Sequence, residues 1–382
     1  MSGYTRGAFK RAADEMSALI IPMGSSEDFC LVKPSLPADY SKFLEDSGLV
    51  LPKLVKTGER LDSSVTAEPW GWDENAHTTF FKMGVNTFHP DFTTVRKINN
   101  RRFCSSFSEI EASGVPNSAL LSSPEELKNF FTKSHEYPQI IKPVYGNSGI
   151  GFLRLDKPPG ETTIAKILNL MKQHGAVAAE PWLKRVMDIS SSLDISADGE
   201  KSSIRHYRCL VDSRGTFYGV YLPPDSARLE PWIPALDKHV TSCAGYIYKS
   251  GYFGPVGFDS FVYSKKDGSE ALAPVIEINA RHVMSDIARA LKSKLANNKY
   301  VFYRLLSGKR AALPENYTEL RHILRGYLFS PAAGTGILPL TPLRNTTDIT
   351  CQPYRNAFFI SADSKEKLFW LDSFLTNTLR TC

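Results

Sequence analysis

The chain has 382 residues, 42% of them hydrophobic and 23% charged, a length beyond one ordinary core that implies about two or three packed units. Lys and Arg total 46 against 40 Asp and Glu, a net charge of +6 spread without a basic block; this excludes a nucleic-acid-binding arm and, at ordinary hydrophobicity, a disordered chain. The six cysteines (Cys30, Cys104, Cys209, Cys243, Cys351, Cys382) are too dispersed for a CxxC metal or redox site, and no run nears the ~20 apolar residues of a membrane span, so a soluble cytoplasmic protein with reduced thiols is expected.

In chain order, residues 17–22 (SALIIP) read as a short buried strand before a Gly-Ser turn. Tyr40, Phe43 and Leu44 recur at helical spacing, with Gly48 as the stop. The stretch 61–92, rich in turn residues and aromatics, reads as irregular structure on a small α/β unit. Phe103, Phe107 and Ile110 predict a helix between 99 and 114. Ser123, Pro124, Glu125 and Glu126 make a helix start: a cap, a first-turn proline and two carboxylates at the positive end of the dipole. A strand over 139–144, a glycine loop and a strand over 151–155 follow. Then come a helix over 161–174 and a buried strand over 176–179. Two strand pairs, 203–211 with 216–222 and 257–263 with 272–278, turn about Arg214-Gly215 and Asp267-Gly268. Helices around 284–297 and 317–327, a strand near 357–360 and a helix over 364–379 complete the chain.

Three motifs carry chemistry. In IIKPVYGNSGIG (140–151), a buried strand bearing Lys142 runs into a loop with Gly146, Gly149 and Gly151. Glycines let backbone N–H groups close on phosphate, and a lysine adds a point charge. The pattern is neither a Walker A loop nor GxGxxG; taken alone it is equally an ordinary hairpin turn. In AAEPWLKRVMDIS (178–190), a strand ends at Glu180, and Asp188 stands eight residues on. This arrangement offers an apolar wall to a base and a carboxylate to ribose hydroxyls, or is a capped strand end with a solvent-facing acid. In GFDSFVY and PVIEINAR, Asp259 lies on one strand and Glu277, Asn279 and Arg281 share one face of its partner. Two acids and an amide on adjacent strands suit Mg²⁺, which takes a few carboxylates plus phosphate oxygens; the plainer reading is a surface ion pair.

In this order the motifs resemble the ATP-grasp superfamily over about residues 97–290. The resemblance implies an α+β ATP-grasp fold, two α+β subdomains clasping ATP, preceded by a small α/β domain. It implies that Lys142 and an upstream basic residue, Arg102 or its neighbour Arg101, hold the phosphates of ATP, and that Gly146, Ser148, Gly149 and Gly151 form a lid over them. Glu180 and Leu183 would border adenine and Asp188 contact ribose. Asp259, Glu277 and Asn279 would ligate Mg²⁺ or Mn²⁺, and Arg281 would stabilise charge on the reacting acyl group. Arg208, on the same strand face as His206, is held as a further site residue near the phosphates, and His206 and His282 as structural.

The corresponding reaction joins a small-molecule carboxylate, activated as an acyl phosphate, to an amine. A thiol on a carrier protein and a simple phosphotransfer are the alternatives, and homodimerisation is left open. No nucleic-acid or membrane partner is expected. The tail phrase GTGILPLTPLR and the WGW at 70–72 resemble ATP-grasp peptide ligases of specialised-metabolite pathways, which implies amino-acid or small-peptide substrates. The expected division is 1–115 for the N-terminal α/β domain, 116–290 for the ATP-grasp domain, and 291–382 for a segment packed on its core.

Overall fold

The computed structural model describes residues 16–32, 36–133, 136–146, 151–225, 228–307, 313–314, 316–343 and 355–379. Ala18, Leu19 and Ile21 are buried as their side chains dictate, but on a 3-10 helix, Ser17–Met23, rather than the expected strand. Pro22 lies within it and has no N–H to give a strand ladder. β1 (Phe29–Leu31) pairs in parallel with β2 (Lys53–Val55), and α1 (Ala38–Asp46) crosses between them with Tyr40, Phe43 and Leu44 inward. The stretch read as irregular contains α2 (Glu74–Met83), which is capped by Asp73, ends at Gly84 and buries only Met83. α3 (Phe92–Ile98) and α4 (Arg101–Glu111) follow, capped by Asp91 and Asn100.

Two antiparallel sheets frame the site. The smaller has the order β3–β6–β4–β5, from β3 (Ala119–Leu121), β4 (Gln139–Pro143), β5 (Leu153–Leu155) and β6 (Val177–Pro181). α5 (Pro124–Thr132) and α6 (Glu161–His174) share a core with it through Leu127, Phe130, Ile167 and Met171. Ser123 caps α5 by accepting from the Glu126 N–H, as its sequence predicts.

The larger sheet runs β11–β10–β7–β8–β9–β12–β14–β13. Its strands are β7 (Lys184–Ile195), β8 (Arg205–Val211), β9 (Phe217–Leu222), β10 (Gly254–Ser264), β11 (Glu270–Asn279), β12 (Tyr300–Ser307), β13 (Gly336–Pro339) and β14 (Arg355–Ala362). α7 (Ile233–Lys249) seals one end by packing Val240, Cys243 and Ile247 with Phe258, Val275 and Ile278. α8 (Met284–Leu295), α9 (Tyr317–Leu324) and α10 (Lys365–Thr378) enter the largest core with β9, β12 and β14. Residues 300–362 thus add three strands to the sheet that carries Asp259. Among the described residues no helix is long and apolar enough to cross a membrane, and Cys30, Cys104, Cys209 and Cys243 are free thiols.

Candidate active site

The hairpin of β10 and β11 sets the centre. Asp259 stands directly opposite Glu277, and Asn279, two residues further along β11, shares their face. The Asn279 amide donates to Asp259 Oδ2 at 3.5 Å, and Arg281 Nη2 donates to Asn279 Oδ1 at 3.0 Å. Burial pushes the Asp259 carboxyl up to about 7; Glu277 and Asp188 push the same way, against Arg281 and the Asn279 amide. Two like charges facing across buried strands are costly unless a cation neutralises them. The oxygens of Asp259, Glu277 and Asn279 are hard donors of the kind Mg²⁺ takes together with water and phosphate, so this set fits the ion that the sequence resemblance implies. No third His, Cys, Asp or Glu joins them among the described residues.

Two cations stand nearby, one on the smaller sheet and one on helix α4. Lys142, 5% exposed on β4, places Nζ 2.5 Å from Glu180 Oε2 on β6. Arg101, 6% exposed at the start of α4, donates from Nη1 to Pro143 O at 2.8 Å and from Nη2 to Glu277 Oε2 at 2.7 Å, linking the two sheets. Its guanidinium lies against Gly146, where a Cβ would force it to shift. Phe152 lies 5.4 Å from the Arg101 guanidinium and 5.6 Å from Lys142 Nζ.

Arg102, the residue favoured from sequence, points away from these acids, and Arg101 is the one of the pair that faces Glu277: Arg102 donates to Ser122 Oγ at 3.2 Å and to Gly175 O at 2.7 Å. Consecutive helical residues diverge by about 100°, so only one of the pair faces the acids. Gly151 adopts the left-handed backbone, φ 84°; Ser148 and Gly149 lie outside the described residues.

A cleft of about 380 Å³ is lined by Trp182, Leu183, Asp188, Cys209 and Tyr218, among others. That volume is in the range of small-ligand pockets. The register pairs Asp188 with Phe261 on one side and Cys209 on the other, on the Asp259 face. Arg208 also borders the cleft, but it pairs with Ile189, one residue out of phase, and its guanidinium lies 5.5 Å from the Tyr221 ring. Strand alternation therefore puts it on the face opposite Asp188, whereas the sequence reading set it beside the phosphates. Glu180 reaches the site with its carboxylate committed to Lys142.

Sequence reasoning missed Arg185, whose Nη1 is 2.5 Å from Asp188 Oδ1. It also missed how the segment 68–71 clasps the turn after β11. The His282 N–H donates to Trp70 O at 2.9 Å, and a Cβ on Gly71 would stand 2.8 Å from Arg281 Cβ. The His282 ring meets Glu68 at 3.2 Å and Asp286 at 3.9 Å. Burial lowers its affinity for a proton, but the two carboxylates outweigh that and raise its pKa to about 9. His206 bonds Ser191 at 2.8 Å and Asp237 at 2.9 Å and ties α7 to the sheet, consistent with a structural role. Cys104 is an inert buried thiol, its pKa pushed up to about 12 by burial.

No family model matches the chain, and no curated protein matches it in sequence. Solved structures do match its fold. N5-carboxyaminoimidazole ribonucleotide synthetase from Thermus thermophilus superposes with a TM-score of 0.56 at 13% identity, covering 97% of each chain. N5-carboxyaminoimidazole synthetase from Staphylococcus aureus, complexed with ADP, gives 0.55 at 12% identity over 96% of this chain and 94% of that one. A biotin carboxylase–β,γ-ATP complex from Campylobacter jejuni gives 0.54 at 13% identity over 96% and 89%. Near-complete coverage by three such structures, with the two sheets described above, establishes that the chain has the ATP-grasp fold.

Proposed function

We propose that the chain is an ATP- and Mg²⁺-dependent ligase that activates a small carboxylate as an acyl phosphate and transfers it to an amine, with amino acids or small peptides as substrates. One observation carries the reading: Asp259, Glu277 and Asn279 share one face of the large sheet, Arg281 reaches Asn279 from the turn that follows, and Arg101 bonds Glu277 on one side and Pro143, next to Lys142, on the other. Similar structures bound to ADP and to β,γ-ATP support the nucleotide part. The three-part division at residues 115 and 290 belongs to the same proposal.

Lys142 and Arg101 exchange their carboxylate partners for phosphate oxygens and hold the transferring group in line. Asp259, Glu277 and Asn279 would hold Mg²⁺, which when bound would shield the charge that builds on those oxygens. The donor carboxylate oxygen bonds to the γ-phosphorus as the bond to the bridging oxygen breaks, and ADP leaves. Arg281 holds the acyl oxygen as the amine nitrogen attacks the acyl carbon; phosphate departs and the amine proton passes to solvent. The test is an ADP-release screen over pairs of amino acids with product mass spectrometry. An amide product is expected, and turnover should fall at least ~100-fold in Lys142→Ala and Glu277→Ala. Full turnover in both variants would refute the site.

A further inference from the structure

Tyr218 lines the cleft, and the ligase reading does not use it. Its place on β9 is irregular. Gly219 pairs with Leu210 and Phe217 with Val211, so Tyr218 is an extra residue with no partner on β8. A bulge of this kind re-aims a side chain, and over the re-aimed ring, 4.2 Å from its centroid, stands the guanidinium of Arg304 on β12.

The two strands are shaped for this contact. Arg304 is paired with Gly219, where a Cβ would stand 2.3 Å from the backbone oxygen of Tyr303. That oxygen cannot swing aside as a side chain could, so only glycine lets β12 close on the bulge. Arg304 is held from behind by α10, its Nε 3.0 Å from Asp372 Oδ1, with both side chains largely buried. One turn earlier on α10, Phe369 packs against Phe302 of β12 at 5.0 Å and Tyr221 of β9 at 6.2 Å and fixes the helix over both strands.

Arg304 is a costly choice for so dry a place. Its Nη1 is buried with no hydrogen-bond partner among the described residues, and an N–H left so is destabilising. The group therefore acts through its charge and its flat face, and its partners are Asp372 and the Tyr218 ring. We propose that Arg304 is a positioning residue: braced by Asp372, it holds the Tyr218 ring as a wall for the planar base of a nucleotide, so that the C-terminal segment sets how tightly the cleft binds. This rests on the nucleotide-binding reading above.

The experiment is isothermal titration of the full chain with ADP and Mg²⁺ for the wild type, Tyr218→Leu, Arg304→Met, Arg304→Lys and the two doubles with Tyr218→Leu, each checked by thermal unfolding. Y218L should weaken ADP about tenfold, the size of one base stacked on an aromatic ring. R304M should weaken it about fivefold, and R304K, which keeps the charge beside Asp372 but not the planar face, about threefold. If Arg304 acts through the ring, adding either substitution to Y218L should cost less than about 1.5-fold more. R304K and its double decide the matter if R304M does not fold. An equal loss with and without the tyrosine, or wild-type affinity in Y218L or in the deciding Arg304 variant, overturns the proposal and leaves the nucleotide reading standing. No ADP binding by the wild type overturns both together.

Discussion

An ammonium 5% exposed to solvent, as in Lys142, is tolerable only beside a counter-charge, and Glu180 supplies it at 2.5 Å. The pair is a weak source of net stability, but breaking it from one side strands a buried charge. Glu180→Ala should therefore destabilise the fold by about 3–5 kcal/mol, while Lys142→Met combined with Glu180→Leu should come close to neutral. Urea unfolding of the two variants checks this, and a Glu180→Ala cost within experimental error of zero would contradict the burial of the pair. Arg101 makes the parallel case for ligand binding. Arg101→Ala should weaken nucleotide binding at least about tenfold and Arg102→Ala by less than twofold, since only the first guanidinium faces Glu277. Isothermal titration with ADP and Mg²⁺ separates them.

The turn from β11 into α8 joins the centre to the N-terminal segment, and a single imidazole holds much of it. The His282 imidazolium pairs with the carboxylates of Glu68 and Asp286, and Asp286 also accepts from the Val283 N–H at 3.0 Å and from Ser192 at 2.8 Å. The folded pKa of about 9 lies above the ordinary value near 6.5. The imidazolium therefore contributes stability that is complete below about pH 6.5 and lost as the pH rises through about 9. The stability gap between the wild type and His282→Asn should be widest near pH 6 and close by about pH 10; a gap that widens with pH would contradict the pairing.

The same elements show what a sequence can disclose. The alternation of Glu277 and Asn279 on β11, and the cap and proline of α5, are local patterns and were legible, whereas Arg281, read as part of the same strand, lies in the turn past its last residue. β7 was not, because Ser190, Ser191 and Ser192 are buried on both of its faces and erase the alternation that marks a strand. Pro234 near the start of α7, with polar residues between its inward positions, hid a helix of 17 residues. The choice between Arg101 and Arg102 depends on helix phase, and the bulge that sets Tyr218 apart on β9 depends on strand pairing; neither is local.

Across the whole molecule the large sheet ties the site to the end of the chain. β12 sits between β9 and β14 and pairs with both, and β13 closes the row beyond them. Removing residues 300–382 would leave every candidate site residue in place in sequence. It would also turn β9 into an edge with an unpaired row of N–H and C=O groups. Val301, Phe302, Tyr303, Phe358, Phe359, Leu371 and Leu375, each 2% exposed or less, would be lost from the largest core. At roughly 1.5–3 kcal/mol for each buried side chain, removing seven forfeits about 10–20 kcal/mol, comparable to or above a typical net stability of about 5–15 kcal/mol. The fragment 1–299 is therefore expected to be aggregated or unfolded by circular dichroism and to bind no ADP. The intact chain, in contrast, should lose tryptophan fluorescence and ADP binding at one urea midpoint. A folded 1–299 that binds ADP as the full chain does would show that β12–β14 decorate the large sheet rather than complete it.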